Sequence, residues 1–129
     1  MGLDMHMYAA PAGQEVDRDR IWDSNTKEWY WRKANAIHNW FVENVQGGED
    51  DCGTYEVSLK SIHRLREDVI SVLENPSFAS EVLPTSSGFF YGSTQYDEWY
   101  FDDLRTTLVH LREMLDEPEG TQFFYASSW

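Results

Sequence analysis

The sequence predicts an α+β fold, three principal helices packed on a small, mainly antiparallel sheet, in one domain covering residues 1–129. Three observations predict it. Apolar residues recur with period two in short segments and at helical spacing in longer ones. Glycine, proline and asparagine punctuate the boundaries between them. The chain is 41% hydrophobic and 16% aromatic, enough for a core and too aromatic for a disordered chain.

Leu3, Met5 and Met7 alternate with Asp4, His6 and Tyr8, the period of a half-buried strand, which Pro11 and Gly13 end. Residues 16–22 read as a highly charged strand and Asp23-Ser24-Asn25 as a turn, with residues 27–31 as the hairpin partner. A first helix is expected from Arg32, with Ala34, Ile37, Phe41 and Val45 on its stripe and Trp40 beside it. Gly47-Gly48 closes it, glycine being able to turn left-handed after the last turn. Residues 53–58 predict a short strand with Tyr55 and Val57 on one face. Ser58 suits the N-cap of a second helix striped by Ile62, Leu65, Val69, Val72 and Leu73. Asn75-Pro76 stops it, and Ser77 is expected to cap one further turn over residues 78–83. A loop follows over residues 84–94. Thr94 with Asp97 then marks the start of a third helix, lined by Tyr100, Leu104, Leu108, Leu111 and Leu115. Residues 122–125 are the expected closing strand.

Net charge is −13, spread unevenly. Residues 1–66 hold eight basic and eleven acidic side chains; residues 67–129 hold two, Arg105 and Arg112, against twelve. Such a field repels phosphate backbones, so direct nucleic-acid binding is not expected. It suits either solubility alone or a protein partner with a basic surface, towards which the chain imitates nucleic acid. The lone Cys52 permits no intrachain disulfide, no apolar run is long enough to span a membrane, and no secretory signal is visible. The opening Met1-Gly2-Leu3-Asp4-Met5-His6 has His6 where a myristoylation site wants Ser or Thr. A cytoplasmic protein is therefore expected. Oligomeric state is not legible.

Chemistry-bearing patterns are few. The four histidines fall on separate elements, and no CxxC, HExxH or calcium-loop spacing occurs, so no metal or cofactor is expected. Cys52 with His38, joined by Asp50 and Asp51, is the pair to weigh for a nucleophile or metal ligand. Against it, the adjacent carboxylates disfavour a thiolate, and a lone cysteine commonly serves as a small hydrophobe. Catalysis is therefore not the expected activity. Trp31, Arg32, Asn35 and His38 place positive charge, polar groups and an aromatic together, the last three at helical spacing on one polar edge. The loop containing Gly88, Tyr91, Gly92, Ser93 and Thr94 offers backbone donors and aromatic faces just before a helix start. If the two meet, they make a pocket for a small anionic or aromatic ligand, nucleotide-like in character. A solvated helix face and a tight turn explain the same residues. Glu98, Asp102, Asp103 and Glu113 would form the acidic partner-binding face of the third helix, though carboxylates also suit a helix's first turns for their dipole alone.

Three blocks carry a resemblance. They are Trp31-Arg32-Lys33-Ala34-Asn35-Ala36-Ile37-His38-Asn39-Trp40-Phe41, then Asp50-Asp51-Cys52-Gly53-Thr54-Tyr55, then the run from Ser87 through Tyr91-Gly92-Ser93-Thr94 to Glu98. With the Met-Gly-Leu-Asp-Met start, these resemble a family of small phage, prophage and bacterial proteins of no established activity. The likeness covers most of residues 29–115 and the first few; residues 9–22 have no counterpart in it. It implies a phage context, hence the host-cell cytoplasm, and no mechanism. Joined to the acidic surface, it implies a counter-defence inhibitor of a host effector that acts on nucleic acid, with small-ligand sequestration as the alternative.

Overall fold

The period-two pattern near the N-terminus forms β1 (Asp4–Ala10), an inner strand of the sheet. The structure is a computed structural model, and it describes residues 2–21, 27–88 and 91–129. Among these residues β1, β2 (Lys27–Arg32), β3 (Thr54–Val57) and β4 (Gln122–Ser128) form one antiparallel sheet in the order β2-β1-β4-β3. Register fixes the inner face: Met5 lies opposite Trp31, Met7 opposite Trp29 and Tyr125, and Phe123 opposite Val57. Helices α1 (Asn35–Asn44), α2 (Leu59–Glu74), α3 (Ala79–Val82) and α4 (Glu98–Leu115) share one core with that face. The expected α+β class holds, with three long helices and one short one among the described elements.

The stripes bury as patterned. Ile37, Phe41, Ile62, Leu65, Val69, Val72, Leu104 and Leu111 are buried, and Phe41 stacks on Tyr125 at 3.9 Å between centroids. Leu108 and Leu115 are half-buried, and Thr107 takes the fully buried position between Leu104 and Leu111. The reason is polar: Thr107 Oγ1 accepts the Trp31 indole N–H at 2.9 Å and donates to Asp103 O at 2.7 Å. Indoles elsewhere spend acidic charge in the same way. Trp29 Nε1 donates to Glu113 at 2.9 Å and Trp40 Nε1 to Asp68 at 2.8 Å, so buried tryptophans keep their donors satisfied. Ser58 caps α2 by accepting Ser61 N–H, and Asn75-Pro76 ends it.

Several local expectations are corrected. Residues 16–21 contain no strand: Arg18–Arg20 is a 3₁₀ turn whose preceding Asp17 accepts Asp19 N–H, while Ile21 packs with Tyr8, Ala10 and Phe124 on the outer sheet face. Residues 17–20 are all exposed, which leaves the segment no apolar face for a strand to bury. Trp22 and the Asp23-Ser24-Asn25 turn lie outside the described residues. The true partner of β2 is β1. The first helix starts at Asn35 rather than Arg32, because Arg32 ends β2 and Lys33 turns left-handed, φ 55°. Ser77 bonds Asn75 Oδ1 and leaves α3 without a side-chain cap. Asp97, not Thr94, caps α4, accepting Tyr100 N–H at 3.2 Å. The closing strand runs on to Ser128 and occupies an interior place in the sheet.

Candidate functional site

A corner, a loop and a helix build the site. At the corner, Lys33 N–H donates to Leu3 O at 2.8 Å and Lys33 O accepts Asn35 N–H at 2.9 Å, which locks the left-handed turn between β2 and α1. A non-glycine residue held there marks a conformation that its surroundings over-determine. No side chain caps α1, so the N–H groups of Ala36 and Ile37 have no acceptor within the helix. Both residues line a cleft of about 230 Å³. The loop supplies Thr85, Gly92, Ser93 and Gln95 to its wall, and α4 with its cap supplies Asp97, Trp99, Tyr100, Asp103 and Leu104.

Arg32 and Gly92, expected to share a pocket only if helix and loop meet, both line this cleft together with Asn35 and Ser93. Asn35, however, works inward. Its Nδ2 donates to Tyr91 O at 2.9 Å and Ser93 O at 2.8 Å, and its Oδ1 accepts Ser86 N–H at 3.0 Å. It fastens the loop to α1 and leaves no side-chain group for a ligand. The polar edge expected from Arg32, Asn35 and His38 does not form, because the strand ends at Arg32 and the other two are buried in α1. Trp31 points into the core. Gly88 sits under the Tyr91 ring, where a Cβ would come within 2.9 Å of Cγ. Thr94 bonds Thr85 through its carbonyl, and Phe89 and Phe90 lie outside the described residues.

Cations meet the cleft at the corner. Arg32 Nη1 lies 3.7 Å from Asp4 Oδ1 and its side chain is more than half exposed. Lys33, not singled out from the sequence, forms no ion pair among the described residues, and its stem runs past Gly92, whose φ of 79° suits glycine. Of the expected acidic face, Glu98 and Asp102 are exposed on α4, Asp102 pairing with Arg105 at 2.7 Å. Glu113 accepts Trp29, and Asp103 turns into the cleft wall, half-buried. Burial, then Asp102 and Asp97, push the Asp103 carboxyl up to about 6. A larger groove of about 500 Å³ between Leu59 and Phe123 has Glu117 and Glu119 as its charged groups and no cation.

His38 belongs to a second, interior network. Its Nε2 lies 3.0 Å from Asp50 Oδ1, and its Nδ1 lies 2.6 Å from Tyr125 Oη. An ionised carboxylate only accepts, so Nε2 carries the proton and Nδ1 accepts the tyrosine hydroxyl. Tyr91 Oη donates to Asp50 Oδ2, and Trp129 Nε1 donates to Oδ1 at 3.0 Å. Burial holds His38 below the usual histidine range against the opposing pull of Asp50. Burial likewise pushes Tyr125 well up, with Asp50 and Cys52 adding. Cys52 lies at the surface; partial desolvation raises its thiol, the Asp50 and Asp51 carboxylates add, and a backbone hydrogen bond at Trp129 opposes. Asp51 turns away to Tyr55 and Gly53 N–H. Among the described residues no cluster of His, Cys, Asp or Glu is arranged to hold a metal ion. The network is a structural latch that joins α1, the loop at Tyr91 and Trp129.

Signals for some of this were present in the sequence. Asp50 beside Cys52 with His38 was legible as a grouping, but its hydrogen-bond partners Tyr91 and Trp129 are 41 and 79 residues away. Nothing local announces that Lys33 adopts a positive φ or that Trp99 stands at a cleft. No family model, no curated protein and no solved structure matches this chain.

Proposed function

We propose that this protein binds a small anionic ligand with a planar ring, nucleotide-like in character, and sequesters it rather than transforming it. The observation that carries the reading is the cleft, which joins the uncapped start of α1, the Arg32 and Lys33 corner and the exposed indole of Trp99. Backbone N–H groups and cations suit a phosphate or carboxylate, and an indole face suits a ring. The inward-turned His38–Asp50–Tyr125 network and the raised Cys52 thiol offer no exposed nucleophile–base pair, which favours binding over catalysis.

Titration with adenosine 5′-monophosphate, read by tryptophan fluorescence, tests it. Lys33→Ala and Arg32→Ala should each weaken binding by ~1.5–3 kcal/mol, the scale of a charged hydrogen bond. Lys60→Ala, an exposed change on α2, is the control. Equal affinities for all three variants and the parent refute the reading.

A second reading is favoured by the exposure of Glu98 and Asp102 along α4. On it, a phage-type accessory protein in the host cytoplasm inhibits a nucleic-acid-acting host effector by covering its basic surface. Native mass spectrometry of the protein from its host cells separates the two: a bound small molecule favours the first, a stoichiometric basic protein the second. Binding of the second kind would weaken steeply with salt.

A further inference from the structure

The cations and backbone donors account for an anionic group, yet they leave the α4 wall of the cleft without a role. Asp103 lines that wall and is half-buried. Its main-chain carbonyl accepts the Thr107 hydroxyl at 2.7 Å, but its carboxylate meets no donor among the described residues. What faces it is further negative charge. Asp97 is committed to capping Tyr100 N–H, and Asp102 to the Arg105 guanidinium. Lys33, which also lines the cleft, forms no ion pair with it among the described residues. Burial first, then the Asp102 and Asp97 charges, push the Asp103 carboxyl up. Burial raises the cost of leaving a polar group without a partner, so a half-desolvated acceptor on a cleft wall is open to a donor brought in from outside.

Resting on the cleft reading above, we infer that Asp103 accepts a hydrogen bond from an amino group on the ligand's ring, so that the ligand class is an anion whose planar ring carries an exocyclic amine. The anionic group then lies at the Lys33 corner, the ring lies along Trp99, and the amine reaches α4. A carboxylate accepting from N–H is a charge-assisted bond, stronger than a neutral one. A ring without the amine leaves the carboxylate unpaired in a partly desolvated wall, and sites built to bond a polar group reject analogues that lack it.

Two matched pairs of probes test this on the full chain at neutral pH. Adenosine 5′-monophosphate is compared with purine riboside 5′-monophosphate, and cytidine 5′-monophosphate with pyrimidin-2-one riboside 5′-monophosphate; within each pair the second lacks only the amine. At least one amino-bearing member should bind about tenfold tighter than its partner, a factor that one net charged hydrogen bond supplies. Asp103→Ala should bring that pair to within about threefold while the anion still binds. Asp103→Leu, similar in size and without an acceptor, gives the same comparison if alanine disturbs the fold, and the thermal midpoint reports that. Equal binding within both pairs, with Lys33→Ala weakening all, overturns the inference and leaves the cleft reading standing. Discrimination that survives in a folded Asp103 variant also overturns it. Failure of all four nucleotides and of inorganic phosphate to bind overturns both readings together.

Discussion

Removing the Asp50 carboxylate should loosen the molecule at three places at once. It accepts from His38 Nε2 at 3.0 Å, from Tyr91 Oη and from Trp129 Nε1 at 3.0 Å. His38 is 0% exposed and Tyr91 8%, so Asp50→Ala leaves two enclosed donors without an acceptor, whereas Trp129, 45% exposed, can turn to water. A hydrogen bond to a charged group contributes ~1.5–3 kcal/mol, which makes ~3–6 kcal/mol for the two enclosed donors. The Asp50 side chain is itself 26% exposed, so water entering its place offsets part of that loss. The expected cost is therefore ~2–4 kcal/mol, a large share of the ~5–15 kcal/mol that typically holds a domain folded. Urea unfolding followed by far-ultraviolet circular dichroism measures it, and tryptophan fluorescence should show Trp129 released. Asp50→Asn, which keeps one acceptor, should fall between the parent and the alanine variant. Asp51→Ala, where the lost partners are the Tyr55 hydroxyl and Gly53 N–H at the surface, should move the midpoint much less. A midpoint for Asp50→Ala that coincides with that of Asp51→Ala would refute the latch.

Leu65→Ala should cost ~2–5 kcal/mol, because the side chain is 0% exposed, while Leu108→Ala, half-buried beside Thr107, should cost clearly less in the same denaturation assay. Equal costs would mean that the α4 face is misassigned. The folded Asp103 carboxyl titrates near 6 against 3.8 for an unperturbed one, so the folded state holds this proton more tightly and Asp103 subtracts stability as pH rises from about 4 through 6. Asp103→Asn should accordingly raise the melting temperature above pH 7 and change it little near pH 4, in paired melts across that range. A gain that is the same at both ends would assign the effect to packing rather than to ionisation.

The periodic parts of this protein were legible residue by residue. Period two predicted β1, where Met5 and Met7, with Leu3 just before it, are fully buried, and helical spacing predicted α2 through Ile62, Leu65, Val69 and Val72. Ser58, Asn75-Pro76 and Gly47-Gly48 marked boundaries because capping, the missing proline N–H and a left-handed turn are local chemistry. Charge and composition, likewise, are sums over the chain and need no fold. Tertiary structure decided everything that depends on which distant groups meet. Residues 16–21 carry some alternation but found cover on the outer sheet face as a turn, and β2 took β1 as its partner across 18–28 positions of separation. Acidic residues that look alike in sequence became a tryptophan acceptor at Glu113, a latch at Asp50 and an unmatched cleft wall at Asp103. A carboxylate's role is set by burial and by the donors that packing brings to it, and neither is a property of its neighbours in the chain.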